Sequence, residues 1–402
     1  MSLRELAFPG NNLGEAFNEV KEMFGEAMDG LGEQALGKVL NVAIAEEYKA
    51  FIGARYYERT EGRRDWRNGC RKRRLLTAMG EVELTIPRCR EASFQPSWLE
   101  RYQRIEKRLR EGIKGMFILG VSTRKVGDVL ELLCSARVSA STTSNLAKEL
   151  DEQVLAFANR RLEDNFPFLF LDGINVTIGH EIGAKHYCLL VAYGIRSDGS
   201  RELLAFQKAG SESAAGWRAF LENLVMRGLK GHSLKLIVVD GGKGLWKALG
   251  QVFPLVPAQL CWVHKLRNVA GYCPKAHRTK CTAEAKKIMY AKSVAQAASR
   301  FRRWRKRWQD KAPKAVACLE RDFDKLTAVF SFPKALRSLL RTTNVIERCF
   351  REIQRRVRPM GYFRNSASCQ RVVYALFAYC NKQWEKQRFH LKTVKKYFNR
   401  AA

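Results

Sequence analysis

FPFLFLDGINVTIGHEIGAKHYCLLVAYGIRSDGSRELLAFQ, residues 166–207, changes the character of the chain from helical periodicity to strand runs. Three β-rich segments, 166–178, 185–195 and 201–207, are separated by short turns, and RSDGS (196–200) is a strong hairpin signal. Working outward, AAGWRAFLENLVMRGL (214–229) reads as a crossing helix and LKLIVVDGG (234–242) as a buried strand. GLWKALGQVF (244–253) then reads as a short helix and AQLCWVH (258–264) as a further strand. Three antiparallel strands followed by alternating helices and buried strands predict a mixed sheet.

That order is the ribonuclease H-like one, so the predicted fold is α/β and multidomain. Its mixed-sheet core spans 166–264 and 341–402 and is interrupted at 265–340 by an all-helical insertion domain. The interruption contains RFRRWRKRW (300–308), where Trp304 and Trp308 lie one helical turn apart. Three regions precede the core. Residues 1–50 carry apolar residues at helical spacing with acids between, which predicts acidic amphipathic helices suited to self-association. Residues 51–110 form a basic region with short strands. Arg63, Arg64, Arg67, Arg71, Lys72 and Arg73 crowd around Trp66 there, and EVELTIP (81–87) alternates like an edge strand. Residues 111–165 resemble a helix-turn-helix. Ser122 is the expected cap of one helix, and the next offers Ser141, Thr142, Thr143 and Asn145 to base edges.

The net charge of +32 is unevenly placed. Residues 1–50 hold nine acids against four bases, whereas 265–340 hold twenty bases against five acids and 341–402 fifteen against three. Clustered basic flanks around a nearly neutral centre suit a polyanion, so DNA is the expected partner and a small-molecule substrate is not. No apolar run reaches the roughly 20 residues of a membrane span. Eleven irregularly spaced cysteines without a signal peptide predict free thiols in a reducing cytosol.

Three carboxylates stand in otherwise apolar or basic settings. Asp172 ends LFL on the first strand, Asp240 follows LIVV at a strand's carboxyl end, and Glu347 lies in the helical TTNVIERCFREI (342–353). Grouped acids repel one another unless cations sit among them, and an oxygen-only ligand set favours Mg²⁺, with Mn²⁺ substituting. Each has a plainer reading. The aspartates precede glycines as turn formers do, and Asn344-x-x-Glu347 matches a capping box, with Arg351 an i,i+4 partner.

The chain resembles bacterial insertion-sequence transposases of the mutator type over most of its length. The resemblance is carried by WRNGCRKR (66–73), GEVELTIPR (80–88), GVSTRKV (120–126), FLDG around Asp172, VVDGGKG around Asp240, CWVHKLRN (261–268) and TTNVIERCFREI (342–353). It implies a DDE triad of Asp172, Asp240 and Glu347 holding two Mg²⁺ ions, with Cys261, His264 and Arg348 as auxiliaries. The chain departs from the family pattern in the GG after Asp240 and in its many cysteines.

The expected activity is transposition. The protein would bind the terminal inverted repeats of its element, cut to expose a 3′-hydroxyl and join that hydroxyl to target DNA, with movement through a circular intermediate. It would act as at least a dimer, in the bacterial cytoplasm and associated with the nucleoid. A domesticated, non-catalytic DNA-binding regulator and a nuclease without strand transfer are the alternatives. Trp304 and Trp308 are candidates for stacking on unpaired bases, against the commoner reading of tryptophans one turn apart as core. Cys261, His264, Cys273, His277 and Cys281 form an alternative zinc set.

Overall fold

The computed structural model describes residues 13–118, 121–134, 137–179, 185–357, 362–363, 365–386, 394 and 397–398. For 13–30, 118, 345, 348, 349, 352, 356, 357 and 386 it describes the backbone alone. Two compact units divide at Lys148 and Glu149.

The first unit begins with α1 (Leu13–Ile52), one continuous helix where several were expected. Ile44, Tyr48 and Ile52, four residues apart, pack on Val82, Leu84 and Ile86. These last three lie on β2 (Gly80–Cys89), whose alternate residues are buried, and β2 pairs antiparallel with β1 (Arg67–Thr77). Much of the basic segment is therefore strand. Its outward residues pair across the ladder, Lys72 Nζ with Glu83 at 2.7 Å and Arg74 with Glu81 at 3.7 Å. Gly80 takes φ +120 in the tight turn, a conformation costly for any residue with a Cβ.

Next come α2 (Lys107–Ile118), α3 (Thr123–Cys134) and α4 (Ala140–Lys148), around a core of Ile113, Val126, Leu130, Val138 and Leu146. Ser122 Oγ accepts from Lys125 N at 3.3 Å, as expected of a cap, and Ser139 Oγ accepts from Thr142 N at 3.1 Å. A Cβ at Gly127 would lie 2.7 Å from Val138 O, so this residue lets α3 meet the approach to α4 closely.

The second unit opens with α5 (Leu150–Asn159) and contains the sheet. β3 (Phe168–Ile178), β4 (Lys185–Ile195) and β5 (Arg201–Ala209) are antiparallel, as read from the sequence. After α6 (Ala214–Met226), β6 (Leu236–Val239) joins β3 in parallel; after α7 (Lys243–Val252), β7 (Ala258–Leu260) joins β6 in parallel. The strand order is β5-β4-β3-β6-β7. On one face, Leu169, Leu171, Leu190, Ile237 and Val239 pack against Trp217, Phe220 and Leu221 of α6 and Leu245 of α7. On the other, Phe170 meets Tyr193 at 5.6 Å between ring centroids, and Tyr193 meets Trp384 at 5.6 Å. Burial on both faces explains the unbroken apolar runs.

β7 is shorter than expected, because CWVH is not strand. Cys261 precedes, and Trp262 begins, α8 (Trp262–Tyr272). Then follow α9 (Arg278–Met289), α10 (Val294–Trp308), α11 (Pro313–Arg321) and α12 (Lys334–Leu340), linked in part by 3₁₀ turns. Trp262 N donates to Arg341 O at 3.0 Å, so this helical stretch leaves and returns at one place. α13 (Asn344–Val357) then rests Ile346, Phe350 and Ile353 inward, and Phe363 N donates to Thr177 O at 2.9 Å at the end of β3. α14 (Ser366–Lys386) packs on the core, to which Val394 and Phe398 also belong, Phe398 meeting Phe168 at 6.0 Å between ring centroids; among the described residues no helix is long and apolar enough to cross a membrane.

Candidate active site

The register of the parallel strands builds the first half of the site. Leu171 of β3 sits beside Val239 of β6, so the next residues, Asp172 and Asp240, emerge together where β6 ends. Gly173 N donates to Asp172 Oδ1 at 2.8 Å, and Gly242 N donates to Asp240 Oδ1 at 3.1 Å. Trp246 Nε1 donates to Asp240 O at 3.0 Å and fixes the turn. Asp172 is 7% exposed. Burial, then the charge of Asp240, pushes its carboxyl up to about 7, with Glu212 adding to the rise and His264 and Gly173 opposing it. Asp172 is thus a desolvated acid with a second acid beside it, a position that disfavours its negative charge.

The second half comes from α8 and α13. Backbone N–H groups of Ile346 and Glu347 both donate to Thr343 O at 3.0 Å, so Thr343, not Asn344, precedes the helix. The capping-box reading of Asn344 and Glu347 gives way for that reason. The Glu347 carboxylate instead accepts from Thr343 Oγ1 at 3.3 Å and lies 3.5 Å from His264 Nε2. The Thr343 backbone N also donates to Cys261 Sγ at 3.3 Å, and the same hydroxyl lies 3.4 Å from that sulfur, its one proton shared between sulfur and Glu347. Burial alone would raise the Cys261 thiol, but hydrogen bonds from His264 and Thr343 outweigh it and bring it down. The hydrogen bond with Cys261 raises His264 to about 9 against burial, and the charges of Cys261, Asp172 and Glu347 add to it. These interactions favour the protonated form of His264, which lies against Glu347.

A fourth acid went unread in the sequence. Glu212, between β5 and α6, accepts from Cys188 Sγ at 3.5 Å, and burial with the charge of Asp240 raises its carboxyl. Glycines clear its space. A Cβ at Gly173 would stand 2.5 Å from Glu212 Oε1, and one at Gly244 would stand 2.4 Å from Glu212 O. One at Gly242 would have Asp240 Oδ1 at 3.2 Å and Glu212 Oε2 at 3.5 Å. The glycines after each aspartate were the only sequence signal, and they read as turn formers.

The acids have the donor chemistry of a divalent-cation site, and among the described residues no three of Asp172, Asp240, Glu212 and Glu347 bring an oxygen each within 4.8 Å of one another. Asp172, Asp240 and Glu212 present only oxygen, the preference of Mg²⁺ and Mn²⁺, and the glycine-lined space between them is a cradle that a Cβ would fill. Cys261, His264 and Glu347 bring one ligand atom each within 4.8 Å of one another. The sulfur there already accepts a hydrogen bond from the Thr343 backbone N–H. The wider zinc set does not gather around Cys261: Cys281 instead has Cys273 for a neighbour, and His277 packs on Trp308 at 5.8 Å between centroids. The described cysteines are free thiols. Beside Asp240 a cavity of about 330 Å³ is lined by Lys243, His264, Asn268, Arg321, Lys325 and Asp322, the last pairing with both Arg321 and Lys325, so that Lys243 and His264 are its cations nearest in sequence to Asp240 and Cys261.

The remaining candidates separate into two kinds. Arg64, Lys72, Ser141 and Asn145 are exposed, and Arg63 stacks on Trp66 at 4.3 Å. Arg71 and Thr142 are half-buried and Thr143 is buried. Arg67 donates to Ala54 O at 3.0 Å beside the rings of Tyr48 and Tyr56, and Arg73 donates to the carbonyls of Glu100 and Gln103, so both brace the first unit. Trp304 and Trp308 are corrected outright: each is 3% exposed, and neither offers a face to a base. Their indole N–H groups donate to Cys281 O at 3.0 Å and Glu284 Oε2 at 2.9 Å. The Arg348 side chain lies outside the described residues.

The profile described as "Transposase, Mutator family" matches residues 12–387. The transposase for insertion sequence element IS406 of Burkholderia multivorans is 37% identical over 90% of this chain and 94% of its own length. The transposase for ISRM5 of Rhizobium meliloti is 35% identical over 91% of each chain. The transposase for IS256 in transposon Tn4001 of Staphylococcus aureus is 34% identical over 89% of this chain and 91% of its own.

Proposed function

The chain belongs to the Mutator family of transposases, and from that premise we propose that Asp172, Asp240 and Glu347 form the DDE centre that cuts and joins DNA. The observation that carries this reading is the pairing of Leu171 with Val239, which sets Asp172 and Asp240 side by side. Glu347 reaches the same place through His264. The strand order supports a ribonuclease H-like core over 166–264 and 341–402, and the return of Arg341 to Trp262 supports reading 265–340 as an insertion domain.

Asp172, Asp240 and Glu347 would hold two Mg²⁺ ions, which Mn²⁺ would replace. Such ions supply a hydroxide-like nucleophile and neutralise charge on the leaving oxygen. In the first step water attacks a phosphodiester at the element's end and the 3′-oxygen leaves as a hydroxyl. In the second that hydroxyl attacks a target phosphodiester, and the target's own 3′-oxygen leaves. Cationic His264 donates to a phosphate oxygen, and the basic lining beside Asp240 holds the strand. Terminal inverted repeats and target DNA are the partners. Two ends must be held at once, so at least a dimer acts, in the cytoplasm at the nucleoid.

Incubation with end DNA, a target plasmid and Mg²⁺ tests this reading. Joined product is expected. Hydrolysis without joining would favour a nuclease, and binding without cleavage a non-catalytic regulator.

A further inference from the structure

The geometry points to Glu212 as a fourth carboxylate of the metal centre, facing the Asp172–Asp240 pair from the loop between β5 and α6. This inference rests on the metal-centre reading above. Its support is the space around the side chain. Glu212 Oε2 and Asp240 Oδ1 lie 3.5 Å and 3.2 Å from one point, the position of an absent Cβ on Gly242, so one small cradle is shared by two acids. Glu212 Oε1 lies on the other side, 2.5 Å from where Gly173 would carry a Cβ, directly after Asp172. Cys188 Sγ, on β4, donates to that oxygen at 3.5 Å and holds the carboxylate turned toward the strand acids.

The surrounding backbone is committed to the same placement. Gly244, in the first turn of α7, leaves room for Glu212 O at 2.4 Å from its missing Cβ, so α7 and the Glu212 loop are in direct contact. Ser213 immediately follows and caps α6, its Oγ accepting from Gly216 N at 3.1 Å. A cap on one side and a glycine contact on the other fix Glu212 where a merely solvated acid would need neither.

The test is Mn²⁺ binding by the purified full chain without DNA, followed by the electron paramagnetic resonance signal of free Mn²⁺. The chain is expected to bind, and Asp240→Asn to weaken binding. Glu212→Gln, nearly identical in shape, is expected to raise the Mn²⁺ dissociation constant about tenfold or more. Gly173→Ala keeps every charge but pushes the Glu212 carboxylate away, and is expected to act in the same direction. Fe²⁺ with ascorbate should cut the backbone beside 172, 212 and 240, and Glu212→Gln should lose the cut beside 212. Should Glu212→Gln misfold by circular dichroism, Glu212→Asp, which retracts the oxygens but keeps the charge, is expected to show a smaller loss. Wild-type affinity in both folded Glu212→Gln and Gly173→Ala, with Asp240→Asn defective, overturns the role of Glu212 alone. Absence of binding by the unsubstituted chain overturns the metal centre and Glu212 together.

Discussion

His264 Nε2 stands 3.5 Å from Glu347 Oε1, joining the start of α8 to the start of α13 across the helical stretch between them. Glu347 thereby enters the site from a helix, whereas Asp172 and Asp240 enter from strands. Rigid elements on three sides are what a centre for phosphoryl transfer needs.

Asp172→Asn and Asp240→Asn should each lower strand cleavage and joining about a thousandfold, the loss expected when several kcal/mol of metal-assisted stabilisation is removed. Labelled end DNA resolved on denaturing gels measures both steps. Wild-type rates in Asp240→Asn with Mg²⁺ present would defeat the DDE assignment.

Arg64→Ala should weaken binding to end DNA and reduce the slope of log affinity against log salt by about one, since an exposed phosphate contact acts through counterion release. Arg73→Ala should act differently. That guanidinium bonds the carbonyls of Glu100 and Gln103, so thermal stability of the first unit should fall. Salt-dependent fluorescence anisotropy alongside calorimetry separates the two.

Lys265 is 3% exposed and pairs with Asp322, which also receives Arg321 at 3.2 Å and Lys325 at 3.4 Å. Asp322→Ala should cost about 3–5 kcal/mol, because it strands a buried ammonium. Lys265→Met should cost less, because Asp322 keeps two partners. Equal losses in denaturant titrations would contradict this account.

Asp65 organises the loop before β1, accepting from Trp66 N at 2.5 Å, Ala92 N at 2.7 Å and Glu91 N at 3.1 Å. The hydrogen bond from Ala92 leads in holding its carboxyl below the ordinary value of 3.8, against burial. A depressed carboxyl contributes stability that is present above the unfolded value and lost as pH falls through the folded one. Melting temperatures between pH 6 and 2 should therefore show a drop below about pH 4, and Asp65→Ala should lower the plateau and flatten that drop.

Trp304→Ala should destabilise by about 3–5 kcal/mol, the cost of emptying a buried indole site. DNA affinity per folded molecule should stay unchanged. A selective loss of binding with stability intact would restore the stacking role.

The sheet was readable because strands covered on both faces leave long apolar runs, and the aspartates interrupt them at matching steps. Glu347 was readable only through its resemblance, since its local pattern equally described a cap. Glu212 was hidden because what marks it is backbone clearance at Gly173, Gly242 and Gly244, which one-dimensional spacing does not express. The structure favours the core reading of the tryptophans over stacking: Ala297, Phe301, Trp304 and Trp308 recur at intervals of four, three and four, the stripe of a helix facing a core. Cys261 was assigned to a strand because a run of apolar residues gives no sign of where three residues of β7 yield to α8.

The bond from Trp262 N to Arg341 O turns everything between them into a closed detour. Lengthening a loop whose ends are already pinned costs only about 0.6 kcal/mol for each doubling. Added length is tolerated where the detour stands clear of the sheet, not at Asp322, which pairs with Lys265, nor at Leu326, whose carbonyl accepts from Gln259 Nε2 and Trp262 Nε1. Where it stands clear, the detour gives a protein engineer a natural port, where a reporter or a new DNA-recognition module can be spliced between fixed gateposts.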